Sequence, residues 1–291
     1  MRVILERLAA WWSRHVRPDE IQAVHVSNSP VDSRDCGLYD AVLGGSFNNA
    51  TGELYPGFAV GQQDVVLDFG CGGGGATRFC SRQGAKVIFA DSDASKIEQL
   101  SASLSESRAE AFQGIHSESL PLPLADACVN RVVAQEVLEH VEDPAEILAE
   151  LFRLGMPGAL YLLSVPHPRS ERMQQGIAPD SHFEAPNHIH ILEEEQFEHL
   201  VKSAGLEILH SERSGFYWAF WIALYWADSQ AQGRVHIGAT HDQIVPPYAS
   251  LLSDWAGLWK RILQLPSGLL LKQRLDDLLP KSQVIIARKP T

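Results

Sequence analysis

The chain has 291 residues, 45% of them apolar, enough for a full-sized core in one large domain or in one domain with an elaborated cap. A formal net charge of −12 repels phosphate backbones and no local basic patch offsets it, so nucleic acid is excluded as a partner. Cys36, Cys71, Cys80 and Cys128 are far apart and form no CxxC pair, which excludes a zinc knuckle and a disulfide framework and suits a reducing cytoplasm.

Residues 1–60 read as a helical N-terminal extension followed by Gly/Asn-rich loops. Arg2, Glu6 and Arg7 interrupt the first apolar run, so no secretion leader is expected. The same segment carries Arg14, Arg17, Trp11 and Trp12, an amphipathic pattern that can rest on the inner membrane face, cover a homodimer partner or cover its own core. From Asp64 short β-branched runs alternate with helical stretches: VVLDF, a helix near 76–83, KVIFAD, a helix near 94–105, AEAFQG, CVNRVVA, a helix near 144–154, and ALYLLSV. That rhythm predicts an α/β core over 61–168, a mostly parallel sheet with helices on both faces.

After Pro168 the rhythm breaks. Residues 169–280 are expected to form a helical cap and substrate-side elements, with a core strand returning near 206–213 and a helix near 193–204 ended by Gly205. The aromatic run Phe216 to Ala227 is too short to span a bilayer, which needs about 20 residues. It either packs the cap onto the core or lines an acceptor pocket. Two Leu/Trp-rich stretches, 251–265 and 269–279, have helical spacing, and 281–291 reads as a final core strand.

The stretch VVLDFGCGGGG sets Gly70, Gly72 and Gly75 in GxGxxG spacing between a strand and a helix, where a bare backbone can turn tightly against a ligand. Asp91 ends the next strand, where a carboxylate can accept from both ribose hydroxyls. Dinucleotides and S-adenosylmethionine both fit these features. Asp68, two residues before Gly70, separates them, because an acid there repels a pyrophosphate and welcomes an ammonium.

These motifs, with FADSD, the block SESLPLPLADACVNRVVAQEVLEHVEDPAEILAELFRLGMPGALYLLSVPHP and HIHILEEEQFEHLVKSAGLEI, resemble the class I S-adenosylmethionine-dependent methyltransferases. The likeness is to their small-molecule branch, which includes the ubiquinone-biosynthesis type, and runs from about 64 to 205. The resemblance implies a Rossmann-like seven-stranded sheet whose last, antiparallel strand is SQVIIARK. It implies that Asp68 and the backbone of Gly70, Cys71 and Gly72 hold the methionine part, that Asp91 holds the ribose and that Ser92 lies beside the adenine. The family presents an acid to the adenine amino group; here His116 stands at that position, followed by Ser117. Gln135 falls where the family lines the donor pocket, and Glu136 beside it is either pocket-lining or a surface helix start.

Methyl transfer to a hydroxyl benefits from a general base, and histidine suits that task near neutral pH. His140 and His167 follow strands at the sheet's carboxyl edge, and His188 is favoured by resemblance; His182 and His190 lie in the same stretch as His188. No metal is expected from His188 and His190, since residues two apart on a strand point to opposite faces. The expected activity is O-methylation of a small metabolite, glycan or lipid-linked intermediate by a cytoplasmic enzyme. The rival readings are a nucleotide-dependent oxidoreductase and a non-catalytic binding protein of the same fold.

Overall fold

The computed structural model describes residues 32–105 and 111–291, and the amphipathic segment expected at the start of the chain lies outside them, together with its membrane or dimer contact. Asp32 opens the first described helix, α1 (Ser33–Leu43), by accepting from the backbone N–H groups of Arg34 and Asp35. A small antiparallel pair, β1 (Glu53–Tyr55) and β2 (Phe58–Ala59), follows. The core then alternates β3 (Val65–Phe69), α2 (Gly75–Arg82), β4 (Lys86–Asp91), α3 (Ala94–Leu104), β5 (Phe112–His116) and β6 (Val129–Gln135). It continues through α4 (Pro144–Leu154), β7 (Gly155–Pro166), α5 (Pro168–Gln174), α6 (Glu194–Ser203), β8 (Glu207–Ser214), α7 (Phe216–Ala231), α8 (Ser250–Leu263), α9 (Gly268–Leu278) and β9 (Ser282–Arg288).

The sheet runs β5-β4-β3-β6-β7-β9-β8, and β9 alone runs against the direction of the other six strands. This is the expected seven-stranded, mostly parallel sheet with SQVIIARK as its reversed strand. Strand order changes direction at β3, between β4 and β6, and in open α/β sheets the crevice beyond the carboxyl ends at such a point is where ligands bind.

The central strands bury both faces, so they read as continuous apolar runs. Along β3, Val66 packs with Phe79, Val87 and Phe89 on one face, while Leu67 packs with Val132, Leu148 and Phe197 on the other. Leu54, Tyr55, Phe58 and Val60 join the first of these clusters, so this part of the expected extension covers the sheet directly. Each such fully buried side chain contributes about 1.5–3 kcal/mol.

The aromatic run forms α7, where Tyr217, Trp221, Tyr225 and Trp226 are buried against Leu252, Ala256 and Trp259 of α8 and Cys36 of α1, while Phe220 is exposed. The indole N–H groups of Trp226 and Trp259 donate to Gln174 Oε1 and Asp40 Oδ1, both at 2.8 Å. Lys272 of α9 is buried between Asp40 (3.0 Å) and Asp276 (2.7 Å) and ties α9 to α1. Among the described residues no helix is long and apolar enough to cross a membrane.

Candidate active site

A cavity of about 850 Å³ opens at the carboxyl ends of β3, β4 and β6. One end is built by the glycine loop. Gly70, Gly72 and Gly74 all have positive φ, and Gly74 caps α2. A Cβ on Gly70 would overlap Val137, and one on Gly74 would lie 2.5 Å from Leu100. Gly75, the third residue of the expected spacing, has open space around it, so Gly74 is the position that requires glycine.

Backbone donors in this loop are committed. Gly70 and Cys71 donate to the Ala90 carbonyl at 2.8 and 3.0 Å, and Gly72 donates to Asp91 Oδ2 at 2.9 Å. The Asp68 carboxylate lies beneath the loop, takes a hydrogen bond from Thr77 Oγ1 at the start of α2, and does not line the cavity. Burial pushes its pKa up to about 6, with the Thr77 hydrogen bonds opposing and the Asp91 charge adding. Asp68 is therefore a lock on the loop and not a direct partner of an ammonium. A carboxylate bonded to Thr77 at the start of α2 disfavours a pyrophosphate there. Burial likewise raises the Cys71 thiol to about 12, so Cys71 lines the cavity as an apolar wall and not as a nucleophile.

Asp91 at the tip of β4 faces the cavity and is held from both sides, by Gly72 N–H and by Asp93 N–H at 3.0 Å. Ser92 and Ser117 line the same end. His116 does not: its ring turns outward, with Nε2 3.0 Å from the Ser92 carbonyl. The acid on this rim is Glu118, two residues later, which lines the cavity and was not found from the sequence.

The opposite end is lined by Gln135, Glu136, His140, Glu171, His182, His188 and Lys281. Glu136 is not at a helix start. It adopts a left-handed φ of 56° and binds Ser164 Oγ (3.0 Å), Ser282 Oγ (2.9 Å) and Lys281 Nζ (2.5 Å), which fastens β6 to β7 and β9. His140 Nδ1 is 3.1 Å from the Pro186 carbonyl and His188 Nδ1 is 2.8 Å from Glu171 Oε2. The two rings meet edge to face at 5.0 Å. His190 points away and bonds the Val141 carbonyl at 2.9 Å.

His167 is not at the cavity. It is 3% exposed, its Nδ1 accepts from Arg169 N–H (3.1 Å) to cap α5, and its Nε2 is 2.7 Å from Glu194 Oε1. Both ring nitrogens are occupied, and burial holds its pKa below the ordinary value against the raising effect of Glu194. With both ring nitrogens bonded to protein groups and the ring buried away from the cavity, His167 is a structural residue.

The model for a methyltransferase domain matches residues 51–211, more than half of the chain. The chain belongs to this family. An S-adenosylmethionine-dependent methyltransferase of Mycolicibacterium smegmatis, named as probable, is 30% identical over 143 residues, 49% of this chain and 52% of that one. A ubiquinone biosynthesis O-methyltransferase of Psychrobacter cryohalolentis is 35% identical over 102 residues, 34% of this chain and 39% of its own length. The chain thus spans about half or less of these relatives. A solved structure described as a methyltransferase from Bacillus halodurans superposes with a TM-score of 0.51 at 16% identity, covering 80% of this chain and 95% of that one, which shows the shared fold.

As a member of the methyltransferase family the chain takes S-adenosylmethionine as cofactor, and the cavity that the glycine loop and Asp91 both line has room for it. The oxidoreductase reading falls with the match to the methyltransferase family. Of the sequence-derived residues, Gly70, Cys71, Gly72, Asp91, Ser92, Ser117, Gln135, His140 and His188 line one cavity, whereas Asp68, His116 and His167 do not. Glu171 and Lys281 were missed because nothing local marks them. Glu171 lies in a short helix after β7 and Lys281 just before β9, and only the sheet's closure brings them together.

Proposed function

We propose that the chain transfers a methyl group from S-adenosylmethionine to a hydroxyl oxygen of a small metabolite, glycan or lipid-linked intermediate, with His140 as the general base. The observation that carries this reading is the single cavity joining a donor end at Gly70, Gly72 and Asp91 to an imidazole-lined acceptor end. An N–H on His140 Nδ1 donates to the Pro186 carbonyl, so the basic lone pair is on Nε2. A lone pair of the acceptor oxygen attacks the methyl carbon in line with the C–S bond. The O–C bond forms as C–S breaks, the electron pair returns to sulfur, and the hydroxyl proton passes to His140 Nε2.

The likeness to ubiquinone biosynthesis O-methyltransferases supports oxygen as the attacking atom. Ile222, Ile244, Val141 and Pro186 give the acceptor end an apolar surface suited to a flat or prenylated body. The α7 aromatics named above pack the cap and do not line the cavity. Incubation with methyl-labelled S-adenosylmethionine and a panel of phenols, sugars and prenylated alcohols tests the reading. Label should enter a hydroxyl acceptor and should depend on His140; transfer only to amines, or donor binding with no transfer to any acceptor, overturns it.

A further inference from the structure

The acceptor wall gathers more metal-ligating groups than a general base requires, and their hydrogen bonds leave some of them unsatisfied. One ligand atom each of Glu171, His182 and His188 lies within 4.8 Å of the other two, and the same holds for Glu139, His140 and His188. His182 is decisive. Thr240 Oγ1 donates to Asn187 Oδ1 (3.1 Å), an oxygen that also accepts Thr240 N–H (2.7 Å). The Thr240 hydroxyl therefore receives its own bond from His182 Nδ1–H at 3.2 Å, which places the imidazole lone pair on Nε2. That Nε2 is buried with no hydrogen-bond partner, on a residue that is 5% exposed and lines the cavity. An imidazole held by a hydrogen bond through one nitrogen, with its other nitrogen bare, is how a metal-binding histidine is oriented.

Glu139 adds a second independent sign: it is 1% exposed and neither carboxylate oxygen has a hydrogen-bond partner. Imidazole with carboxylate selects zinc, iron, cobalt or nickel over magnesium or calcium.

We propose that Glu171, His182 and His188 bind a divalent transition-metal ion, with Glu139 and His140 beside it. Tetrahedral ligands at normal bond lengths are about 3.3 Å apart, so ligand atoms already within 4.8 Å of one another need to draw together by about 1.5 Å at most. On the methyl-transfer reading, the ion takes the acceptor oxygen as a further ligand and lowers the pKa of its hydroxyl before His140 removes the proton. Metal binding itself does not depend on that reading.

The test uses the full chain, stripped with a chelator and titrated with Zn²⁺ by calorimetry and with Co²⁺ by visible absorption. The expected result is one equivalent per chain with Co²⁺ d–d bands, and at least about 100-fold weaker Zn²⁺ binding in His182→Ala and in the near-isosteric Glu171→Gln. S-adenosylhomocysteine affinity, unchanged within about twofold, together with circular dichroism, shows that a variant has folded. If His182→Ala does not fold, His188→Asn takes its place. Absence of Co²⁺ bands and Zn²⁺ heat in the parent overturns the proposal, as does equal affinity in the folded variants. Metal binding without methyl transfer to any acceptor leaves the site standing and overturns the methyl-transfer reading alone.

Discussion

Replacing Asp91 by Ala probes the donor end most sharply, because this carboxylate has two tasks. Toward the ligand it offers a charged acceptor to the ribose hydroxyls, each such bond contributing about 1.5–3 kcal/mol. Toward the protein it accepts from Gly72 and Asp93 N–H at 2.9 and 3.0 Å, so its loss also loosens the glycine loop. Water can replace part of both functions because Asp91 is partly exposed at the cavity, so the effects do not sum fully. A net loss of about 3 kcal/mol is expected, roughly 150-fold in affinity for S-adenosylhomocysteine. Calorimetry measures it, and chemical denaturation in the absence of ligand isolates the loop effect, about 1 kcal/mol. Affinity within threefold of the parent would refute the ribose assignment. A loss of affinity matched entirely by a loss of fold would refute the direct contact.

Other substitutions separate structure from chemistry. His140→Ala should lower turnover by about 10²–10⁴-fold and leave S-adenosylhomocysteine affinity unchanged. By contrast His167→Ala should retain the pH profile of turnover while losing about 1–2 kcal/mol of stability with the α5 cap, as denaturant melts will show. Asp68 has a folded pKa of about 6, above its unfolded value of 3.8, so its contribution is full below pH 3.8 and is lost as pH rises through 6. The parent should lose about 3 kcal/mol across that window that Asp68→Asn does not lose, seen as a flatter stability curve. Lys272→Met leaves Asp40 and Asp276 facing each other while buried and should cost about 3–5 kcal/mol in a thermal or denaturant melt.

The sheet was legible because each strand-helix unit carries its own local signature: β-branched runs, Gly205 at a helix end, and a glycine turn after VVLDF. Asp91 and the glycines were legible for the same reason, being fixed by a strand end and its next turn. Helix α7 was not, since apolar residues on both its buried and its exposed faces, Phe220 among them, blur the periodicity by which a helix is recognised. The acceptor wall was only partly legible. His188 and His140 stood out as residue types, but sequence gives no sign that His167 turns inward to Glu194 or that Glu171 meets His188 across 17 residues. Asp68 was expected beside the ligand, but its carboxylate is bonded to Thr77 beneath the loop and does not line the cavity.

The most direct measurement of the central claim is a crystal structure of the chain with S-adenosylhomocysteine. The account predicts both ribose hydroxyls within hydrogen-bond distance of the Asp91 carboxylate, the methionine end against the carbonyls of the glycine loop, and the sulfur facing His140 and His188. A ligand bound elsewhere, or a ribose turned away from Asp91 with the sulfur remote from the imidazoles, would contradict it.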